Sequence, residues 1–226
     1  MGEYYDWINI DKKEYLCPTY FDQGSKSRES VDRDGNILCA LRALLADEWK
    51  NCRIAWIGDE CLIPRDNKLP FFEDLNNSID RLGYFNNIFD CYLERYVNVS
   101  GLFKITEDEV RHECDWHIKD VKAGIKDCYD EFGIDGKKDP YEGMFQKEGM
   151  KFEYTINYTK NVCYSFNKTK ILTLDGKEDD FADPLPILMG YGRMQPEPGE
   201  WLGDIIGVSS EIDDSIKVLD SVYLDW

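Results

Sequence analysis

Two aromatic, β-branched runs lie near opposite ends of the chain, and each is interrupted by a short polar corner. The first run covers residues 4–17 and the second covers residues 152–166. This pattern, broken by Asn, Asp and Lys, is typical of two antiparallel strands joined by a tight turn. Both runs also share the spacing Ile-Asn-x-x-Lys, at residues 8–12 and 156–160. The pattern therefore predicts two similar hairpins.

A helix and a further strand are predicted after each hairpin. In the first copy, apolar residues recur at helical spacing over residues 36–49, and a strand follows at residues 53–57. In the second copy, Asp183 and Pro184 are typical of a helix start, and a strand is expected near residues 201–208. The expected fold class is α+β, with two similar strand–strand–helix–strand units flanking a helical insert.

The third strands of the two units can be aligned in two ways. One matches Trp-Ile-Gly-Asp at residues 56–59 to Trp-Leu-Gly-Asp at residues 201–204. The other matches residues 48–54 to residues 200–206, because both begin with Glu-Trp and end with Ile. Both alignments support an internal duplication, and they differ in which residues of the two strands are equivalent.

The middle of the chain has the pattern of a helical insert. Apolar residues recur at helical spacing within residues 70–82 and 85–96, and again from residue 106 to residue 132. Thr106 and Glu109 have the spacing of a capping box at the start of the last helix. We predict one compact domain, 1–226, built from a first unit at 1–62, an insert at 63–150 and a second unit at 151–226.

The charge balance narrows the classes of partner. The chain has 45 acidic and 27 basic residues, a formal net charge of −18. This argues against direct binding to nucleic-acid phosphates and to anionic membrane surfaces, and it favours a basic protein partner. The candidate partner-binding carboxylates are Asp175, Glu178, Asp179, Asp180, Glu211, Asp213 and Asp214. The alternative is that these residues belong to solvated loops.

The cysteines predict a reducing compartment. None of the eight cysteines forms a Cys-x-x-Cys pair, which argues against the common zinc and redox motifs. We expect no secretory signal, since no basic segment precedes an apolar one at the N-terminus, and no apolar run approaches the length of a membrane span. The expected location is the cytoplasm.

The two histidines, His112 and His117, are the candidates for metal or acid–base chemistry. They lie five residues apart, so on a helix they point in different directions. Glu113 and Cys114 share a helical face with His117, which makes these three the candidate metal ligands. The alternative is a polar helix surface. We single out no catalytic residue, and no motif names a cofactor, because neither a nucleotide-binding loop nor a nucleophile elbow occurs.

These observations favour a non-enzymatic intracellular protein-interaction module. A concrete version is an acidic inhibitor or immunity protein that blocks a basic partner. One alternative is an enzyme that uses carboxylates or the His112/His117 region. Another is a structural protein. The sequence does not indicate whether the protein binds a small molecule in any of these three cases.

Overall fold

The computed structural model describes residues 2–23, 26, 29–61, 96–122, 141–193, 195 and 197–224. Three parts of the predicted helical insert lie outside the described residues: the helix at 70–82, nearly all of the helix at 85–96, and residues 123–132 of the helix at 106–132. The division into three segments within one domain stays a prediction.

The fold is α+β, as predicted. In chain order the elements are β1 (Tyr5–Asn9), β2 (Glu14–Leu16), α1 (Asn36–Ala46), β3 (Ile54–Gly58), β4 (Val97–Asn98), α2 (Glu107–Lys122), β5 (Tyr154–Asn157), β6 (Val162–Ser165), β7 (Lys170–Thr173), α3 (Leu185–Met189), β8 (Gly190–Tyr191), β9 (Ile206–Ser209), β10 (Lys217–Val218) and β11 (Ser221–Leu224). None of the described helices is both long enough and apolar enough to cross a membrane.

The strands of the described residues form three sheets. One sheet has the order β4-β2-β1-β3-β8, the second has the order β10-β6-β5-β9, and the third contains β11 and β7. In the two larger sheets the first strand of each predicted hairpin is central. Thus β1 pairs antiparallel with β2 and β3, while β5 pairs antiparallel with β6 and β9. Both hairpins are therefore present where the sequence predicts them.

The two hairpin turns use the same side-chain contact. The Asn9 side-chain oxygen accepts a hydrogen bond from the backbone N–H of Lys12 at 2.9 Å, and Asn157 accepts one from Lys160 at the same distance. One residue later, Lys13 and Asn161 have φ values of 56° and 59°. A left-handed residue of this kind closes a short turn. The shared Asn is therefore a turn-forming residue in both units.

The strand pairing agrees with one of the two alignments. Ile54 lies opposite Asn9, and Ile206 lies opposite Asn157. This is the alignment that matches residues 48–54 to residues 200–206. The units also exchange contacts, because α1 packs against β9 and α3 packs against β3. A common origin of the two units stays a prediction.

Large aromatic side chains fill the core between these elements. Trp7, Trp49, Trp56 and Trp201 are all almost completely buried, and Tyr5 stacks on Trp56 with ring centroids 4.1 Å apart. Burying aromatic side chains of this size contributes much of the stability of a domain. The packing places the polar groups described next at the boundary between the two units.

Candidate functional site

A buried ion pair joins the two units. Arg42 on α1 and Asp183, just before α3, are 1% and 0% exposed, and the Arg42 guanidinium donates to the Asp183 carboxylate. Tyr164 on β6 donates its hydroxyl to the other oxygen of Asp183 at 2.5 Å. The backbone N–H of Leu185 donates to that same oxygen at 2.9 Å, so Asp183 satisfies the first N–H of α3. The helix begins at Leu185 with Pro184 as its N-cap, one residue later than the predicted start.

Burial and charge shift the pKa values in this network. Burial, with the nearby Asp183 charge, raises the pKa of Tyr164 well above its ordinary value, so its hydroxyl stays a donor. Burial alone would lower the pKa of Arg42, but the charge and hydrogen bond of Asp183 act together with the nearby Tyr164 and Cys39 to raise it overall. The network is therefore a fixed cation–carboxylate pair. Its polar groups serve the packing of α1 against the second unit.

The buried ion pair also contacts two residues nearer the surface, Arg33 and Phe166. Arg42 donates a second hydrogen bond to the backbone carbonyl of Arg33 at 2.6 Å. The Arg42 and Arg33 guanidinium carbons lie 5.0 and 5.4 Å from the centre of the Phe166 ring, within the range of cation–π contacts. Arg33 and Phe166 are thus positioned by the buried network rather than by the solvent-facing loops alone.

Arg33 and Phe166 form part of the wall of a cavity of about 310 Å³, here called the Arg33 cavity. Lys168, in the turn between β6 and β7, and Lys170, at the start of β7, contribute further wall. The segment before α3 contributes Glu178, Asp179, Asp180 and Ala182. The cavity therefore contains charges of both signs, although the chain as a whole is strongly acidic.

Four of the charged side chains in this wall make neither a hydrogen bond nor an ion pair with the described part of the chain. They are Arg33, Lys170, Glu178 and Asp180. Lys168 differs, since its ammonium donates to the Tyr154 hydroxyl at 2.6 Å and lies 5.1 Å from that ring. The cavity therefore contains two cations and two carboxylates that do not form ion pairs with one another.

A second cavity, of about 510 Å³, lies beside the start of α1 and shows the opposite arrangement. Lys104 pairs with Glu148 at 2.6 Å, and Lys151 pairs with Asp34 at 2.7 Å. Lys147 in the same wall pairs with carboxylates near the end of α1. The lysines of this cavity are therefore neutralised by neighbouring acids.

The predicted partner-binding carboxylates separate into three groups. Glu178, Asp179 and Asp180 line the Arg33 cavity, whereas Asp175 pairs with Lys177 at 2.5 Å on the preceding turn. The remaining residues lie on the exposed turn between β9 and β10, namely Glu211, Asp213 and Asp214. In that turn the Asp213 carboxylate accepts from the backbone N–H of Ser215 at 2.8 Å, and this bond lowers the pKa of Asp213.

Phe181 is the most exposed of the large apolar side chains in the described chain, at 78%. Its backbone is nevertheless fixed, because Asp179 accepts hydrogen bonds from the N–H groups of Phe181 and Ala182 at 3.0 and 3.1 Å. The Phe181 carbonyl accepts from the backbone N–H of Arg33 at 3.0 Å. A rigid backbone therefore presents this ring to solvent, directly after three acidic residues.

Two of the three candidate metal ligands on α2, Glu113 and Cys114, are engaged in other contacts. Glu113 accepts a hydrogen bond from the Tyr20 hydroxyl at 2.7 Å, and Cys114 is completely buried in the core. Across the described ranges, no three His, Cys, Asp or Glu side chains are placed to hold a metal ion. The metal hypothesis for Glu113, Cys114 and His117 therefore gains no support. The described cysteines are free, namely Cys17, Cys39, Cys52, Cys61, Cys114 and Cys163.

Sequence reasoning missed the residues that organise this region. Arg42 carried a usable signal, because it is the one charged residue in the otherwise apolar α1 sequence NILCALRALLA. A charge at such a position requires a buried partner. Phe181 carried only a weak signal, as an aromatic next to an acidic run. Arg33 and Phe166 carried none, because their contact joins residues far apart in the chain.

Comparisons with protein-family models, with curated proteins and with solved structures find no match to this chain.

Proposed function

We propose that this protein is a protein-interaction module that binds a basic partner through the Phe181 loop, defined as residues 175–182. The observation that carries the proposal is the exposed Phe181 ring on a fixed backbone beside Glu178, Asp179 and Asp180. An aromatic anchor surrounded by polar residues is the usual composition of an interface hot spot. An acidic inhibitor or immunity protein is the class that fits this arrangement.

The anchoring of the loop favours binding, because an ordered loop loses little conformational entropy when a partner docks. Asp183 follows the loop directly and belongs to the buried ion pair with Arg42. The loop is therefore tied down at its end by a contact with α1. The net charge of −18 adds long-range attraction for a cationic partner, which accelerates association and is screened by salt.

The proposal is tested by comparing captured proteins between variants. The wild-type chain, Phe181→Ser and the control Trp116→Ser are immobilised and exposed to extract from the source cells. Trp116 is a suitable control because it is 57% exposed and lies on α2, away from the Phe181 loop in the chain. Bound proteins are quantified by mass spectrometry at about 50 mM salt, where attraction between charges is weakly screened, and at about 500 mM salt, where it is strongly screened.

We expect a basic protein that is retained by the wild type and by Trp116→Ser, lost from Phe181→Ser, and released at high salt. Equal retention by all three chains, or retention that is insensitive to salt, would contradict the proposal. Circular dichroism of each variant confirms that the fold is retained, and exposed substitutions of this kind usually change stability by less than about 0.5 kcal/mol.

A further inference from the structure

We propose that the Arg33 cavity is a binding site for a small zwitterion of the α-amino-acid type. The ligand's carboxylate is held by Arg33 and Lys170, and its ammonium group by Glu178 and Asp180. This site goes beyond the proposed protein-interaction function, since it takes a small molecule and is tested without any protein partner.

Arg33 is the group best prepared to bind a carboxylate. Its backbone is held on both sides, because its N–H donates to the Phe181 carbonyl at 3.0 Å and its carbonyl accepts from Arg42 at 2.6 Å. Its guanidinium lies over the Phe166 ring and makes no ion pair with the described residues. A stacked, planar guanidinium presents its free N–H groups in a fork that matches a carboxylate.

The opposite charges line the same cavity, yet they do not pair with one another. Lys170, Glu178 and Asp180 have no ion-pair partner in the described chain, whereas each lysine of the second cavity does. Unpaired charges of both signs around one opening match a ligand that carries both signs itself. A simple anion would satisfy only the cations and would be repelled by the two carboxylates.

The dimensions of the cavity limit the size of the ligand. A volume of about 310 Å³ is at the small end of the range for ligand sites. It accommodates a molecule of amino-acid size, with the half-buried Phe166 ring as an apolar surface for its side chain. The network of Arg42, Asp183 and Tyr164 lies behind this wall and keeps it in place, as supporting residues do in preorganised sites.

The test measures binding of each of the twenty standard L-amino acids to the purified chain, by ligand-observed NMR and then by calorimetry. For any amino acid that binds, its N-acetyl derivative lacks the ammonium charge, and its amide lacks the carboxylate. Lys170→Gln and Arg33→Gln remove the two cations in turn. Lys177→Gln is the matched control, because that lysine is 80% exposed, pairs with Asp175 and does not line the cavity.

We expect at least one amino acid to bind, with affinity reduced at least tenfold by Lys170→Gln, by Arg33→Gln and by either blocking group, and unchanged by Lys177→Gln. Lys170 is exposed, so its variant folds even if Arg33→Gln does not. Binding of no amino acid overturns the proposal. Equal binding of the blocked derivatives, or of inorganic phosphate, overturns the assignment to a zwitterion. The amino-acid binding measurement uses no protein partner, so its outcome does not depend on whether Phe181 is needed for protein capture. The two proposals can therefore be refuted separately.

Discussion

Asp183→Asn is the most informative single change, because it removes the charge of the buried carboxylate and keeps its shape. The remaining side-chain oxygen still accepts from the Tyr164 hydroxyl and from the backbone N–H of Leu185. What is lost is the partner of Arg42, whose guanidinium is 1% exposed. Removing one member of a buried ion pair costs about 3–5 kcal/mol, because the other charge stays buried and uncompensated.

This loss is large for a single domain, whose total stability is about 5–15 kcal/mol. In a chain of this size it corresponds to a decrease of roughly 10 °C in the unfolding midpoint. The free energy of unfolding is measured by urea titration, followed by the fluorescence of the buried tryptophans. Lys151→Gln is the control, since its pair with Asp34 is 64% and 57% exposed, and exposed ion pairs of this kind contribute little to stability.

The double variant Arg42→Met, Asp183→Asn separates charge pairing from packing. Once both charges are removed, no unpaired charge remains buried, so the double variant is expected to be more stable than Asp183→Asn alone. Two results would refute the reasoning: a loss below about 1 kcal/mol for Asp183→Asn, or a double variant that loses the sum of the two single losses. Either result would mean that Arg42 is not held as a charge by Asp183.

Three further predictions concern the hairpins. Asn9→Ala and Asn157→Ala each lose about 1–3 kcal/mol of unfolding free energy, because backbone N–H groups of the turn lose their acceptor; thermal unfolding measures this. Cys52→Asp raises stability by about 1 kcal/mol, because it gives the buried, unpartnered Asn9 amide the carboxylate that Asp204 gives Asn157. Arg53→Met costs about 0.5–1 kcal/mol at pH 7, and the cost disappears as the pH falls through the lowered pKa of Asp11; urea titrations across pH measure it.

The sign of the pH effect follows from Asp11. Burial alone would raise its pKa, but the hydrogen bonds and charge of Arg53 outweigh burial and lower it. A lowered pKa gives stability that is present above the ordinary carboxyl pKa and is lost as the pH falls through the folded-state value. A stability difference between Arg53→Met and the wild type that persisted at pH 2 would contradict this assignment.

The other two predictions have internal controls. Lys12→Ala removes only an exposed side chain and keeps the backbone N–H that Asn9 accepts from, so it should leave stability unchanged. An equal loss in Lys12→Ala and Asn9→Ala would place the effect elsewhere in the turn. Cys52→Asp should lose its benefit in the Asn9→Ala background. A benefit of the same size in both backgrounds would show that the new carboxylate acts on another group.

Local patterns were sufficient for the hairpins and for α1, because their periodicity and turn residues act within a few positions of the chain. Asp183 was recognised as part of a helix start, yet its main partner, Arg42, is 141 residues away and no local pattern connects them. The acidic run at residues 178–180 was also recognised. That it lines one cavity together with Arg33 and Lys170 depends on the packing of the second unit, which a count of charges cannot predict.

The exchange of contacts between the units has a consequence for synthesis of the chain. α1 is complete at residue 46, but β9, against which it packs, begins only at residue 206. At ordinary elongation rates, roughly 10–30 s separate the two. During that interval the emerging N-terminal segment carries an apolar helix face whose native cover does not yet exist. An apolar surface that waits for its cover during synthesis is prone to aggregation, so we expect the isolated N-terminal segment to be less soluble than the whole chain.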